Sequence, residues 1–73
     1  MNCLETLSYG NRILKLNNID SYKLDSELLL ANVMKISREE LLINLQEKLD
    51  RIKLNKFIKL IERRSKNEPI AYI

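Results

Sequence analysis

The chain has 73 residues, with 13 Lys and Arg against 10 Asp and Glu for a net charge of +3, one Cys, one Gly, one Pro and no His. A single domain of this size buries only about 60% of the surface its unfolded chain exposes, so its stability is modest, and a lone cysteine offers no disulfide to raise it. The same counts leave too few ligands for a structural zinc site, no apolar run near the roughly 20 residues of a membrane span, and no basic-then-apolar secretory leader. The expectation is a soluble cytoplasmic domain, all-helical with short connections.

Asn2 and Glu5 have the spacing of a capping box at the start of a first helix, which brings Leu4, Leu7, Ile13 and Leu14 to one face and ends near Leu16 at the Asn17-Asn18 turn. Gly10 in its middle costs about 1 kcal/mol relative to Ala, which a close helix crossing or a break would explain. Ile19 tucks under the second helix, which starts from Asp20 or Ser21 and runs to about Met34. Leu24, Leu28 and Ala31 fall on one line of it, with Leu29 and Val33 beside them, so it reads as the central helix. Asp25 sits in its first turn, where the helix dipole favours a carboxylate.

Lys35-Ile36 is a tight link to a third helix. Ser37 and Glu40 form the usual capping box there, with Ile36 and Leu41 at the hydrophobic-staple positions. That helix is short, ending near Leu45, with Leu41, Leu42 and Leu45 inward.

Asp50 caps the fourth and longest helix, from about Arg51 to Lys66. Leu54, Phe57, Ile58 and Ile61 form its apolar stripe. Asn67 suits the left-handed residue that ends a helix, and Pro69 begins one last turn to Tyr72. The predicted fold is thus an all-α bundle of four helices plus a short fifth C-terminal turn. Its core is Leu24, Leu28, Ala31, Leu41, Leu45, Leu54, Phe57, Ile58 and Ile61.

The last helix holds seven basic residues and one acid, for +6, so the rest of the chain sums to −3. Lys56, Lys59, Arg63 and Lys66 lie opposite its apolar stripe. A solvated face is the plainest reading. Contact with nucleic acid is the alternative, a small basic helical nucleic-acid-binding module with salt-sensitive affinity, but no aromatic residues are interleaved for stacking. A protein partner is a third reading, since Ile52 and Leu60 fall among the charges. No histidine base or glycine-rich phosphate loop is present. Asp25 with Glu27, and Glu39 with Glu40, are better placed as first-turn dipole partners than as proton-sharing pairs. Cys3, without a base, reads as a small apolar residue.

The string Glu62-Arg63-Arg64-Ser65-Lys66-Asn67-Glu68-Pro69-Ile70-Ala71-Tyr72-Ile73 resembles the close of the N-terminal domain of the release-factor glutamine methyltransferases, the HemK/PrmC family. Asp25-Ser26-Glu27-Leu28-Leu29-Leu30-Ala31 is similar to that family's acidic-then-leucine central helix, and Ser37 to Leu45 to its short third helix. The resemblance spans most of the chain and is weakest in the first helix. Asn67 stands where the family usually has glycine; both tolerate a left-handed cap. The resemblance implies a longer parent chain, in which a glycine-containing hairpin and a Rossmann-like domain follow. That domain supplies the S-adenosylmethionine loop and the Asn-Pro-Pro-Tyr motif, and both are absent from these residues.

By the same resemblance, the parent enzyme methylates the glutamine of the Gly-Gly-Gln motif of peptide-chain release factors. The helical domain helps to recognise the release factor. Alone it is expected to bind no methyl donor or metal and to catalyse nothing. Arg63, Arg64, Glu68, Pro69 and Tyr72 match the family string and are expected to fix the last helix and the join to the catalytic domain. Lys56 and Lys59 of the basic face are the further partner-binding candidates.

Overall fold

Four helices fill the computed structural model, which describes residues 1–72 without the side chain of Tyr72: α1 (Cys3–Leu16), α2 (Tyr22–Met34), α3 (Arg38–Ile43) and α4 (Arg51–Ser65). A 3₁₀ turn over Ile70–Tyr72 follows. The all-α bundle with a short terminal turn is therefore as the sequence predicts. α2 packs against α1, α3 and α4, which makes it the central helix.

Three helix starts are made by the expected side chains. Asn2 accepts from the Glu5 amide at 2.9 Å while Glu5 accepts from the Asn2 amide at 3.0 Å. Ser37 and Glu40 make the same reciprocal pair, and Asp50 accepts from the Lys53 amide at 2.8 Å. Each such cap contributes about 1 kcal/mol. α2 differs: Ser21 precedes it but caps no amide, and its hydroxyl donates to Asp25 Oδ2 at 2.8 Å.

The helix ends turn on three residues with positive φ: Asn18 (62°), Lys35 (58°) and Asn67 (64°). Both asparagines are expected there. Lys35 is not, because the left-handed position that closes a helix ordinarily takes glycine.

The first turn of α1 is closed by a connection that the sequence does not announce. The amides of Cys3 and Leu4 donate to the carbonyls of Glu47 and Leu45 at 2.8 and 3.0 Å, and the Leu49 amide donates back to Met1 at 3.0 Å. An isolated antiparallel bridge pairs Asn2 with Lys48. Amides that a helix cannot satisfy within itself are thus met by the loop between α3 and α4. This stitching also ends α3 at Ile43, short of the predicted Leu45, whose carbonyl is turned towards α1.

Phe57, Leu14, Leu30, Leu41 and Ile61 are the largest fully buried side chains, and Ile19 is buried as predicted. Ala31 is buried too, while Leu45, Leu54 and Ile58 are half-buried. Leu24 and Leu28 are corrections: they are 46% and 40% exposed, and the inward face of α2 is formed instead by Asp25, Ser26, Leu29, Leu30 and Val33. Leu4 and Leu42 likewise lie outside, at 46% and 40% exposed.

Gly10 decides that face. α1 is unbroken through it, and a Cβ built there would stand 2.8 Å from Phe57 Cζ, 3.0 Å from Ser26 Oγ and 3.1 Å from Ile61 Cδ1. The helices cross so closely that only a hydrogen on α1 and a small residue on α2 fit at this point.

Candidate functional site

The basic helix does not stand alone. α2 and α4 flank an open groove of about 400 Å³. Asn32, Val33 and Lys35 line it from the C-terminal end of α2, and Lys56, Lys59, Leu60 and Arg63 line it from α4. Val33 is buried and Leu60 half-buried, so the floor is apolar, while Lys35, Lys56 and Lys59 are exposed at its rim. Among the described residues none of these three lysines belongs to an ion pair. Lys56 and Lys59 were legible as a pair on one helix face. Lys35 and Val33 were not, because only the folded chain brings the end of α2 beside them. Ile52, read with Leu60 as an apolar residue set among charges, is 69% exposed and does not line the groove.

The remaining candidates form a second feature at the end of α4. Arg63 donates to both carboxylate oxygens of Glu68, Nε to Oε2 at 2.8 Å and Nη2 to Oε1 at 2.5 Å. The hydrogen bonds from Arg63 hold the Glu68 carboxyl below its ordinary pKa, and Glu68 holds the guanidinium higher still. A carboxyl whose folded pKa is lowered stabilises the fold above its unfolded pKa and loses that contribution as pH falls through the folded value. This clamp therefore holds at neutral pH and opens in acid.

Arg64 reaches inward. Its Nε donates to Asp25 Oδ2 at 2.9 Å and its Nη1 to the Glu68 carbonyl at 3.2 Å, so one guanidinium ties the start of α2, the end of α4 and the tail. Asp25 still stands in the first turn of α2, as read from the sequence, but it is 4% exposed and paired across the bundle. Glu27 pairs with Arg38 of α3 at 2.7 Å. Pro69 is exposed between the clamp and the terminal turn, and Ile70 packs against the core. The backbone of Tyr72 closes that turn, and its side chain lies outside the described residues.

Among the described residues no cluster of His, Cys, Asp and Glu is arranged to hold a metal, and no helix is long and apolar enough to cross a membrane. Cys3 is fully buried, and burial, with the charge of Glu47 second, raises its thiol pKa. Its reaction with an aqueous disulfide reagent then requires opening of the bundle. Labelling is expected to be slowed by about a thousandfold or more in buffer relative to urea, the population factor of an opening that costs at least about 4 kcal/mol. Immediate labelling of the folded chain would show that α1 detaches by itself.

Residues 5–73 match the family described as the PrmC N-terminal domain. A bifunctional methyltransferase of Rickettsia felis is 44% identical over 69 residues, which cover 94% of this chain and 13% of the relative. A release factor glutamine methyltransferase of Leptospira interrogans is 37% identical over 70 residues, covering 96% of this chain and 24% of the relative. A release factor glutamine methyltransferase of Buchnera aphidicola is 38% identical over 61 residues, covering 84% and 22%. The chain thus spans between 13% and 24% of the length of these curated relatives. No solved structure matches it. A match that runs from the first turn of α1 through the terminal turn takes in all four helices, and the chain belongs to the family of PrmC N-terminal domains.

Proposed function

We propose that this chain is the release-factor recognition domain of a protein-(glutamine-N5) methyltransferase. Its parent would use S-adenosylmethionine to methylate the glutamine of the Gly-Gly-Gln motif, in the cytoplasm. The observation that carries the reading is the match over residues 5–73, together with relatives named release factor glutamine methyltransferase at 37% and 38% identity. The domain itself contributes binding and orientation. Contacts made far from the reacting amide raise the effective concentration of the glutamine at the catalytic centre, and their loss shows in KM when they are equally strong in ground and transition states.

The end of α4 suits such a role. Arg63 and Arg64 hold the Glu68 side chain and carbonyl against the bundle, so whatever follows leaves from a braced point rather than from a free tail.

The test is deletion of residues 1–73 from the full methyltransferase. KM for intact release factor should rise by about tenfold or more, a loss of roughly 1.4 kcal/mol. Turnover of a short Gly-Gly-Gln peptide should stay as it was. An unchanged KM with only a lower melting temperature would leave the domain a structural support and overturn the reading.

A further inference from the structure

Three features compete as unassigned surface: the groove between α2 and α4, the shallow cleft on α1 around Leu4 and Tyr9, and the exposed leucines of α2. The cleft and the leucines carry nothing that says what covers them. The groove does, through its charge. We propose that it is a docking site for an acidic protein segment that carries one apolar side chain. This rests on the recognition reading and deepens it by naming the surface and the chemistry of the segment that the partner presents.

Lys35, Lys56 and Lys59 place three cations around one groove, and among the described residues none is neutralised by a carboxylate of this chain. Arg63 adds a fourth cation, already engaged by Glu68, and the proposal does not depend on it. Three like charges at one rim repel one another, and an incoming anionic segment relieves that repulsion while steering its own approach. Most of the basic charge of α4 is solvated surface. The groove is distinct because α2 contributes to it.

Lys35 is the clearest sign. It occupies a left-handed position at φ 58° where glycine is the usual helix stop, and that position sets a cation at the mouth of the groove, across from Lys56 and Lys59.

The floor selects the class of partner. Val33 and Leu60 offer aliphatic surface, and among the described residues no ring lines the groove on which nucleobases could stack. An aliphatic side chain flanked by Asp and Glu fits both parts at once: the apolar group covers Val33 and Leu60 while the carboxylates reach the lysines.

The experiment titrates the 73-residue chain with a capped Asp-Glu-Leu-Glu-Asp peptide and, separately, with a bacterial release factor, following the methyl signals of Val33 and Leu60 by NMR. The peptide should shift both methyls. The double variant Lys56→Glu/Lys59→Glu should weaken it at least tenfold, and replacing its Leu by Ser should weaken it severalfold. The charge-matched control Lys23→Glu/Arg51→Glu, away from the groove, should leave it within twofold. Methyls that do not move, or a 12-nucleotide single-stranded DNA that outcompetes the peptide there, overturn the proposal. Two results separate it from the reading beneath it. If release factor binds with undiminished affinity to the Lys56→Glu/Lys59→Glu variant, recognition stands and the groove assignment falls. If the peptide binds as expected but release factor does not bind at all, the groove stands and the recognition reading falls.

Discussion

Replacing Gly10 by Ala is expected to destabilise the chain by a net of about 1 kcal/mol, although Ala is the better helix former. Helix propensity alone favours Ala by about 1 kcal/mol. Against it stands the Cβ, 2.8 Å from Phe57 Cζ with Ser26 Oγ and Ile61 Cδ1 close behind. Phe57 and Ile61 are both fully buried, so their tips can give only by displacing other packed side chains. Either those side chains shift or the helices separate, and overpacking of this kind costs about 1–3 kcal/mol. Gly10→Val adds two methyl groups to the same contact and should cost more than about 3 kcal/mol, against a total of roughly 4–11 kcal/mol for a chain of this length. The urea midpoint reads both variants, and a Tm loss of about 4–8 °C per kcal/mol supports it. An Ala variant as stable as the parent would mean that the crossing has slack.

The second large effect is at Arg64. Arg64→Ala should cost about 2–3 kcal/mol, because it leaves the Asp25 carboxylate, 4% exposed, with the Ser21 hydroxyl as its one side-chain partner among the described residues. The figure stays below the largest buried-pair losses because Asp25 lies at the positive end of α2. Replacing both partners, Asp25→Leu with Arg64→Met, should recover most of that loss, since neither charge is then stranded. Arg64→Lys should not recover it, because an ammonium cannot span Asp25 Oδ2 and the Glu68 carbonyl as the planar fork does. Chemical denaturation of the parent, Asp25→Leu, Arg64→Met and the double variant closes a double-mutant cycle. A single-variant cost under about 0.5 kcal/mol would place the pair with ordinary surface ion pairs.

These two sites also divide what the sequence made legible from what it did not. The helix starts at Asn2, Ser37 and Asp50 are local chemistry, a short acceptor followed by an orphan amide, and they read directly. Gly10 was legible as a crossing or a break, and the contact with Phe57 decides it. The inward face of α2 was not legible. Leucines occur nearly all round that helix, so periodicity cannot choose between Leu24-Leu28 and Leu29-Leu30. The choice is made by residues that look unpromising for a core: Ser26, small enough to lie against Gly10, and Asp25, which meets an arginine 39 positions away. The candidate site divides in the same way. The lysines of α4 share a face by helical spacing, whereas Lys35 and Val33 join them only through packing between helices.

The backbone stitch at the start of α1 bears on the order in which the chain can be assembled. Cys3 and Leu4 find their acceptors only on residues 45 and 47, and Met1 is held by Leu49. During synthesis, α1 emerges before those residues and therefore lacks the partners for its opening turn until about two-thirds of the domain has left the ribosome. Until then Asn2 and Glu5 can cap that turn only in part, and its apolar face awaits Phe57 and Ile61, which come later still. A nascent chain stalled before residue 49 should hold α1 as a fraying helix, and one stalled past Ser65, with those residues outside the tunnel, should close in a single step.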